Sequence, residues 1–441
     1  MNSISGAGSA AAGSPAARWS RQPQPASQLA APSAPPAAES ACRRVITCEV
    51  AVINRYYAGE QTAMRPPSSS PANLADPGNR ATSLPLFPAG VVGSMPRPQF
   101  LRDLLDPRAE GRVPLEVYEK RLDAATQYVI AMQEAAGLDL ISDGEWRRRS
   151  YIGVIAEIMH GFHSYVVDDE LGTGRPFHVV VEPMTPRRPG RIAEEARFLV
   201  RHTDRLTKVC LPSPYLLGQR MWDPERSRRA YPTREAFMRA LVPVLRHELE
   251  EVARTGVTVA QFDDTHLCLF VDPAVRAKYD DPQREIDLAV DLLNEIVTGV
   301  PGRANLIVAV HLCRGNAGRL GWKGAGGYET LVPAMRRLNV DQYVLEYSIP
   351  VAGDMAVLRA LPEDRLIGLG CVDVRGEQID TVEQIVARVE EALRHVDAPR
   401  LSLNPDCGFA PGSAAPIPID EAYAKLQREA QAAAILRERY G

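Results

Sequence analysis

Four residues in the second half of the chain are of types that hold a soft metal ion: His311, Cys313, Glu346 and Cys407. His311 and Cys313 stand two apart at the end of an apolar, β-branched run over 307–312, so strand alternation puts both side chains on one face. Glu346 closes a similar run over 343–346, and Cys407 follows one over 401–405. Imidazole, thiolate and carboxylate together suit zinc. A lone His-x-Cys is more often packed core, because free cysteine is among the most buried residues. Recurrence argues against that here. Three apolar runs each turn polar where they stop, which is where parallel-strand folds place their sites.

Other strand ends repeat the pattern. The run 89–92 closes on Gly93 and Ser94, either a plain turn or a place where backbone amides meet a ligand carboxylate. The run 138–143 leads to Glu145, which either grips a substrate ammonium or pairs with Arg147, Arg148 and Arg149. The run 257–262 ends in Asp263 and Asp264, paired acids that ask for a cationic ligand.

The elements that must position these groups alternate strand and helix. Apolar runs at 89–94, 138–143, 207–211, 257–264, 307–313, 343–346, 366–370 and 401–407 count eight strands. Helical patterns separate them, among them 113–136 with Gly137 as its cap, 234–254, 283–299, 381–395 and 419–439. Residues 164–206 are charged and broken by Pro183, Pro186 and Pro189, and read as an irregular excursion over one barrel end. Eight repeats with the chemistry at strand C-termini predict an α/β fold, a (β/α)8 TIM barrel, as one domain over 84–441. The competing open doubly wound sheet lacks its Gly-rich fingerprint after the first strand. Residues 1–83, rich in Ala, Ser, Pro and Gln, read as a disordered leader, with a short strand near 42–52 and Met64 as an alternative start.

The 441 residues are 45% hydrophobic and 24% charged, with a net charge of -4. That balance offers no field to attract nucleic acid or a membrane surface, and no apolar run reaches bilayer length. Small-molecule partners are expected. The seven cysteines are odd in number and contain no CxxC, so free thiols in a reducing cytoplasm are expected rather than a disulfide framework.

Six segments in order, Val92-Gly93-Ser94, Asp143-Gly144-Glu145, Gln261-Phe262-Asp263-Asp264, His311-Leu312-Cys313, Leu345-Glu346 and Asn404-Pro405-Asp406-Cys407-Gly408-Phe409, carry a resemblance. From about residue 86 onward the chain resembles the catalytic barrel of cobalamin-independent methionine synthase and its shorter single-barrel relatives. The resemblance implies Zn2+ on His311, Cys313, Glu346 and Cys407. It places the homocysteine amino group on Glu145 and Asp263, and its carboxylate near Ser94. Asp263 and Glu346 become the catalytic pair, Glu346 as the group that would yield its place to the substrate sulfur. The implied enzyme is an S-methyltransferase making methionine, similar to the 5-methyltetrahydropteroyltriglutamate-homocysteine methyltransferases.

Two departures qualify the donor. Relatives that use methyl-folate carry Asp-x-His where this chain has Asp373-Val374-Arg375, and a guanidinium does not release its proton at neutral pH. The Gly-rich segment 315–327, with Arg319, Trp322 and Lys323, reads as a lid or anion binder and looks like the short relatives. A second reading is therefore alkylation of another thiol, as by an epoxide:coenzyme M transferase-like enzyme, with Arg314, Arg319 and Arg375 lining a sulfonate pocket. A third is a metal-free uroporphyrinogen decarboxylase-like barrel. Zinc as a purely structural staple would require four protein ligands and no free position.

Overall fold

The computed structural model describes residues 84–168, 172–410 and 417–441. The leader and its short strand lie outside them. Nine strands follow in chain order: β1 (Leu140–Ile141), β2 (Met159–Asp168), β3 (Gly174–Pro186), β4 (Leu206–Pro212), β5 (Val259–Asp263), β6 (Ile307–Leu312), β7 (Gln342–Glu346), β8 (Leu366–Val372) and β9 (Leu401–Pro405). Seven of them form one curled parallel sheet in the order β1-β4-β5-β6-β7-β8-β9. The segment expected as the first strand pairs at two points. Ala89 bridges Leu403 of β9, and Gly90 bridges Leu140 of β1, both in parallel. Only glycine fits at 90, because a Cβ there would lie 2.8 Å from the Leu140 carbonyl oxygen.

Alternation along the strands divides the apolar residues into two cores. Val259, Ile307, Ala309, Val344 and Leu366 form a small cluster on the concave face of the sheet. Their neighbours Ala260, Phe262, Val308, Val310, Leu312, Tyr343, Leu345 and Ile367 join the large cluster between sheet and helices. Parallel strands covered on both faces need this doubly apolar pattern.

The surrounding helices bury one stripe each. Helix Leu115–Ala136 turns Leu122, Ala125, Val129, Ile130 and Gln133 inward and ends on Gly137 at φ 90°, whose N–H returns to the last carbonyls. Helix Val382–Leu393 opens with a reciprocal box between Thr381 and Gln384. No helix among the described residues is long and apolar enough to cross a membrane.

Residues 164–206 depart from the irregular excursion expected of them. Antiparallel β2 and β3 fill most of the segment's first part, and helix Arg191–Arg201 follows. Two of the prolines that argued for an irregular path, Pro183 and Pro186, sit in β3, and Pro189 follows it. A two-stranded ribbon has two outer edges, where a residue without an N–H forfeits no ladder bond. A shift in pairing between His160 and Phe162, with Gly161 at φ 107°, absorbs the remaining mismatch.

Candidate metal centre

The concave-face register that carries Ile307 and Ala309 delivers His311 next, and Cys313 two residues later. β5 does the same with Val259, Gln261 and Asp263, and pairs Asp263 beside His311. The ligand atoms of His311, Cys313 and Cys407 all lie within 4.8 Å of one another, and all three residues are buried. The two sulfurs are 3.5 Å apart, close to the roughly 3.8 Å that two thiolates on a tetrahedral zinc would span.

His311 Nδ1 lies 3.1 Å from Asp263 Oδ1, which leaves Nε2 to face the thiols. A carboxylate behind a histidine is the usual orienting partner of a metal ligand. Burial lowers the imidazole pKa, but the hydrogen bonds and charges of Asp263 and Cys407 raise it to about 10. Hydrogen bonding to Cys313, followed by burial, pushes the Cys407 thiol well up. Two crowded thiols beside an imidazole that holds its proton tightly fit a metal ion, which would take the place of those protons.

Glu346 is not part of that cluster. Its Oε2 accepts from the Arg314 backbone N–H at 2.8 Å and from Arg314 Nη1 at 3.3 Å. Its Oε1 accepts from Arg375 Nη2. The four-ligand set expected from the sequence therefore separates into three donors and a carboxylate held by two arginines. Alternation still turns Glu346 to the concave face, but the guanidiniums claim both oxygens.

Glu145, Cys210 and Asp263 bring their donor atoms within 4.8 Å of one another. Each neighbouring arginine pairs with a different acid: Arg147 with Asp123, Arg148 with Glu195 and Arg149 with Glu110. Burial raises Glu145 to about pKa 7, against the pull of Arg148 and with a further push from Asp263. Its backbone is left-handed at φ 56°, a conformation that costs a non-glycine residue about 1–3 kcal/mol and concentrates at functional sites. Gly93 makes room for it, since a Cβ there would lie 2.7 Å from Cys210 Sγ and 2.9 Å from Glu145 Oε1.

Asp263 Oδ1 also accepts from Gln261 Nε2 at 2.9 Å. Asp264 does not join it: its Oδ1 caps helix Thr265–Cys268 through the Leu267 N–H, so the adjacent acids have separate tasks. Ser94 sits against the Cys407 segment, its carbonyl accepting from Phe409 N at 2.8 Å. A Cβ at 408 would fall 2.2 Å from Ser94 Oγ, so any larger residue there would have to displace that hydroxyl.

A family model described as the catalytic domain of cobalamin-independent synthase matches residues 87–434. The chain belongs to that family. Curated members named methionine synthase from Pyrococcus abyssi and Sulfurisphaera tokodaii are 28% and 27% identical to it, covering 74% and 80% of this chain and 87% and 94% of their own. A solved B12-independent methionine synthase from Shewanella, in complex with selenomethionine, shares the fold at a TM-score of 0.66 and 23% identity, over 80% of this chain and 99% of that one. A putative vitamin-B12 independent methionine synthase from Listeria monocytogenes gives 0.61 and 24%, over 80% and 98%.

Within this cobalamin-independent synthase chain, three site neighbours, Cys210, Gln261 and Asp406, were given no role from the sequence. Cys210 and Gln261 sit in strand interiors and look like core. Asp406 accepts from the Tyr347 and Ser348 N–H groups at 3.0 Å each and from Ser348 Oγ, and burial with Glu346 nearby raises it to about pKa 7. Its place beside Cys407 in the strand-end segment was the available clue.

Proposed function

We propose that this protein is a zinc-dependent methyltransferase that methylates the thiol of homocysteine to give methionine. The observation that carries the reading is the meeting of His311, Cys313 and Cys407 at one strand end, with Glu145 and Asp263 alongside. We take residues 84–441 as a single catalytic (β/α)8 barrel, a reading supported by the bridges of Ala89 and Gly90 to both edge strands. Free thiols at Cys313 and Cys407 suit a reducing cytoplasm.

His311 Nε2 and the Cys313 and Cys407 thiolates would hold the ion. Zinc, when bound, would lower the pKa of an incoming thiol and supply its sulfur as a nucleophile at neutral pH. Asp263 keeps the Nδ1 proton of His311 in place through Oδ1, leaving Oδ2 free to share the substrate ammonium with Glu145. The segment around Ser94 would take the substrate carboxylate. These contacts fix the sulfur relative to the ligand cluster, so orientation is supplied by the chain itself.

Residue 375 would not protonate a leaving group. Arg375 is committed to Glu346, so we read the donor as one whose leaving group departs without a proton from this strand, which argues against methyl-folate. The rival reading, another thiol bearing a sulfonate, relied on Arg314, Arg319 and Arg375. Arg314 and Arg375 pair with Glu346, and Arg319 pairs with Glu421.

Zinc K-edge absorption before and after adding homocysteine, with coenzyme M as the comparison thiol, tests the proposal. One added sulfur neighbour with homocysteine is expected, and Cys407→Ala should lose the metal. The same gain with coenzyme M alone would move the assignment to the other alkyltransferase. A carefully prepared sample without zinc would overturn it.

A further inference from the structure

We infer that Arg97 is a positioning residue for Glu145: with the Asp143 carboxylate it clamps the peptide groups on either side of Glu145, fixing the left-handed backbone that turns this acid toward Cys210 and Asp263. The inference rests on the functional reading above, in which Glu145 holds the substrate ammonium, and names what keeps that acid in place.

The conformation is unusual for the residue that adopts it. Gly144 at φ 66° and Glu145 at φ 56° are successive left-handed positions, a backbone that suits glycine at both. A glutamate at the second position needs its strain held from outside. Charged side chains take both polar groups of its backbone. The Glu145 N–H donates to Asp143 Oδ1 at 2.8 Å. Its carbonyl accepts from Arg97 Nη2 at 2.8 Å and from the Arg148 N–H at 3.1 Å. The same Nη2 donates to the Arg148 carbonyl at 3.1 Å, so one guanidinium nitrogen closes the turn from 145 to 148.

Arg97 reaches this turn because the segment after Gly93 runs alongside it. Ser142 Oγ donates to the Gly93 carbonyl at 2.7 Å and accepts from the Gly144 N–H at 3.0 Å. The Met95 N–H donates to the Gly144 carbonyl at 3.0 Å, and Trp146 Nε1 donates to the Met95 carbonyl at 3.3 Å. Neutral groups therefore already join the two segments, and a cation is not needed for that. Here it is a cost. Arg97 Nε is buried without a partner, and burial lowers the guanidinium to about pKa 10 against the pull of Glu145, with Arg175 and Arg102 pushing the same way as burial. Its hydrogen bonds go to carbonyls rather than to a carboxylate that would offset its charge. An incompletely paired, desolvated charge is a poor way to stabilise a fold. What it supplies is a rigid planar donor that fixes the direction of two carbonyls, with positive charge beside an acid that has to ionise.

Four variants of the zinc-loaded full chain test this: Arg97→Met, Arg97→Lys, Glu145→Gln and the double variant of Arg97→Met with Glu145→Gln. Calorimetry gives Kd for homocysteine and for des-amino homocysteine, which keeps the thiol and the carboxylate and lacks the amino group. Arg97→Met should bind homocysteine about tenfold more weakly, as the acid swings away, and des-amino homocysteine within about twofold of wild type. In the Glu145→Gln background the same change should cost no more than about twofold. Arg97→Lys keeps the charge without the planar fork, and should lose about threefold on homocysteine alone. Equal weakening of both thiols in Arg97→Met would make Arg97 a prop for the whole pocket and overturn the inference, as would a full tenfold loss in the Glu145→Gln background. If Arg97→Met does not fold, Arg97→Lys decides on the same pair of thiols. Wild type that binds both thiols alike would take Glu145 out of amino-group recognition, sinking the functional reading and the inference with it.

Discussion

On the proposed reading, Glu145 binds a cation from a buried position that resists its ionisation. Burial holds it near pKa 7, so an ammonium ligand must find it charged. Homocysteine affinity should therefore rise as pH passes upward through about 7, while the substrate ammonium keeps its proton. In Glu145→Gln that limb should vanish, zinc should stay, and Kd should rise on the order of tenfold to a hundredfold, the worth of one charged hydrogen bond. Calorimetry at about pH 6 and about pH 8 measures both effects, and a wild-type affinity that is flat across that range would remove Glu145 from the amino-group site. The residues that could be read from the sequence were those whose signal is local: His311 and Cys313 need only a two-residue spacing and a strand that stops. What binds Glu346 was not readable. Arg314 lies 32 residues before it and Arg375 29 after it, so only the folded sheet puts them on one carboxylate.

Among the elements, the turn after β9 is the most exacting. Gly408 lets this segment press on Ser94, and Gly408→Ala would force a Cβ to within 2.2 Å of Ser94 Oγ. The expected cost is about 1–3 kcal/mol of stability, with kcat/KM lower by on the order of tenfold to a hundredfold as Cys407 and Ser94 shift. Steady-state kinetics beside thermal unfolding separates the two, and unchanged kinetics would show that this turn does not set the site. Helices and parallel strands were legible because each repeats a period and ends on a cap, as at Gly137 and Thr381. The hairpin of β2 and β3 was not. Its evidence is the pairing of one strand with the next, from Asp168 opposite Gly174 to Met159 opposite Pro186, while its prolines locally argue against any strand.

At the scale of the molecule, a chain with two apolar cores is expected to fold without a metal. Chelation should leave far-ultraviolet circular dichroism unchanged and lower Tm, with stability rising again with the logarithm of free zinc. Loss of secondary structure on chelation would recast the ion as a staple. Ala89 and Gly90 bear on a different matter, the order of events in synthesis. The amide of Gly90 donates both to Leu403 in β9 and to Glu429 in the last helix, and Arg437 reaches back to the carbonyls of Leu86 and Phe87. These partners are separated by more than three hundred residues, 339 between Gly90 and Glu429. A growing chain on the ribosome can pair β4 to β8 as they emerge, but this seam must wait for the last helix to leave the exit tunnel. Until then the first strand segment, paired on one side with β1, offers its other edge to any neighbour, which would leave the nascent protein open to mispairing for most of its translation.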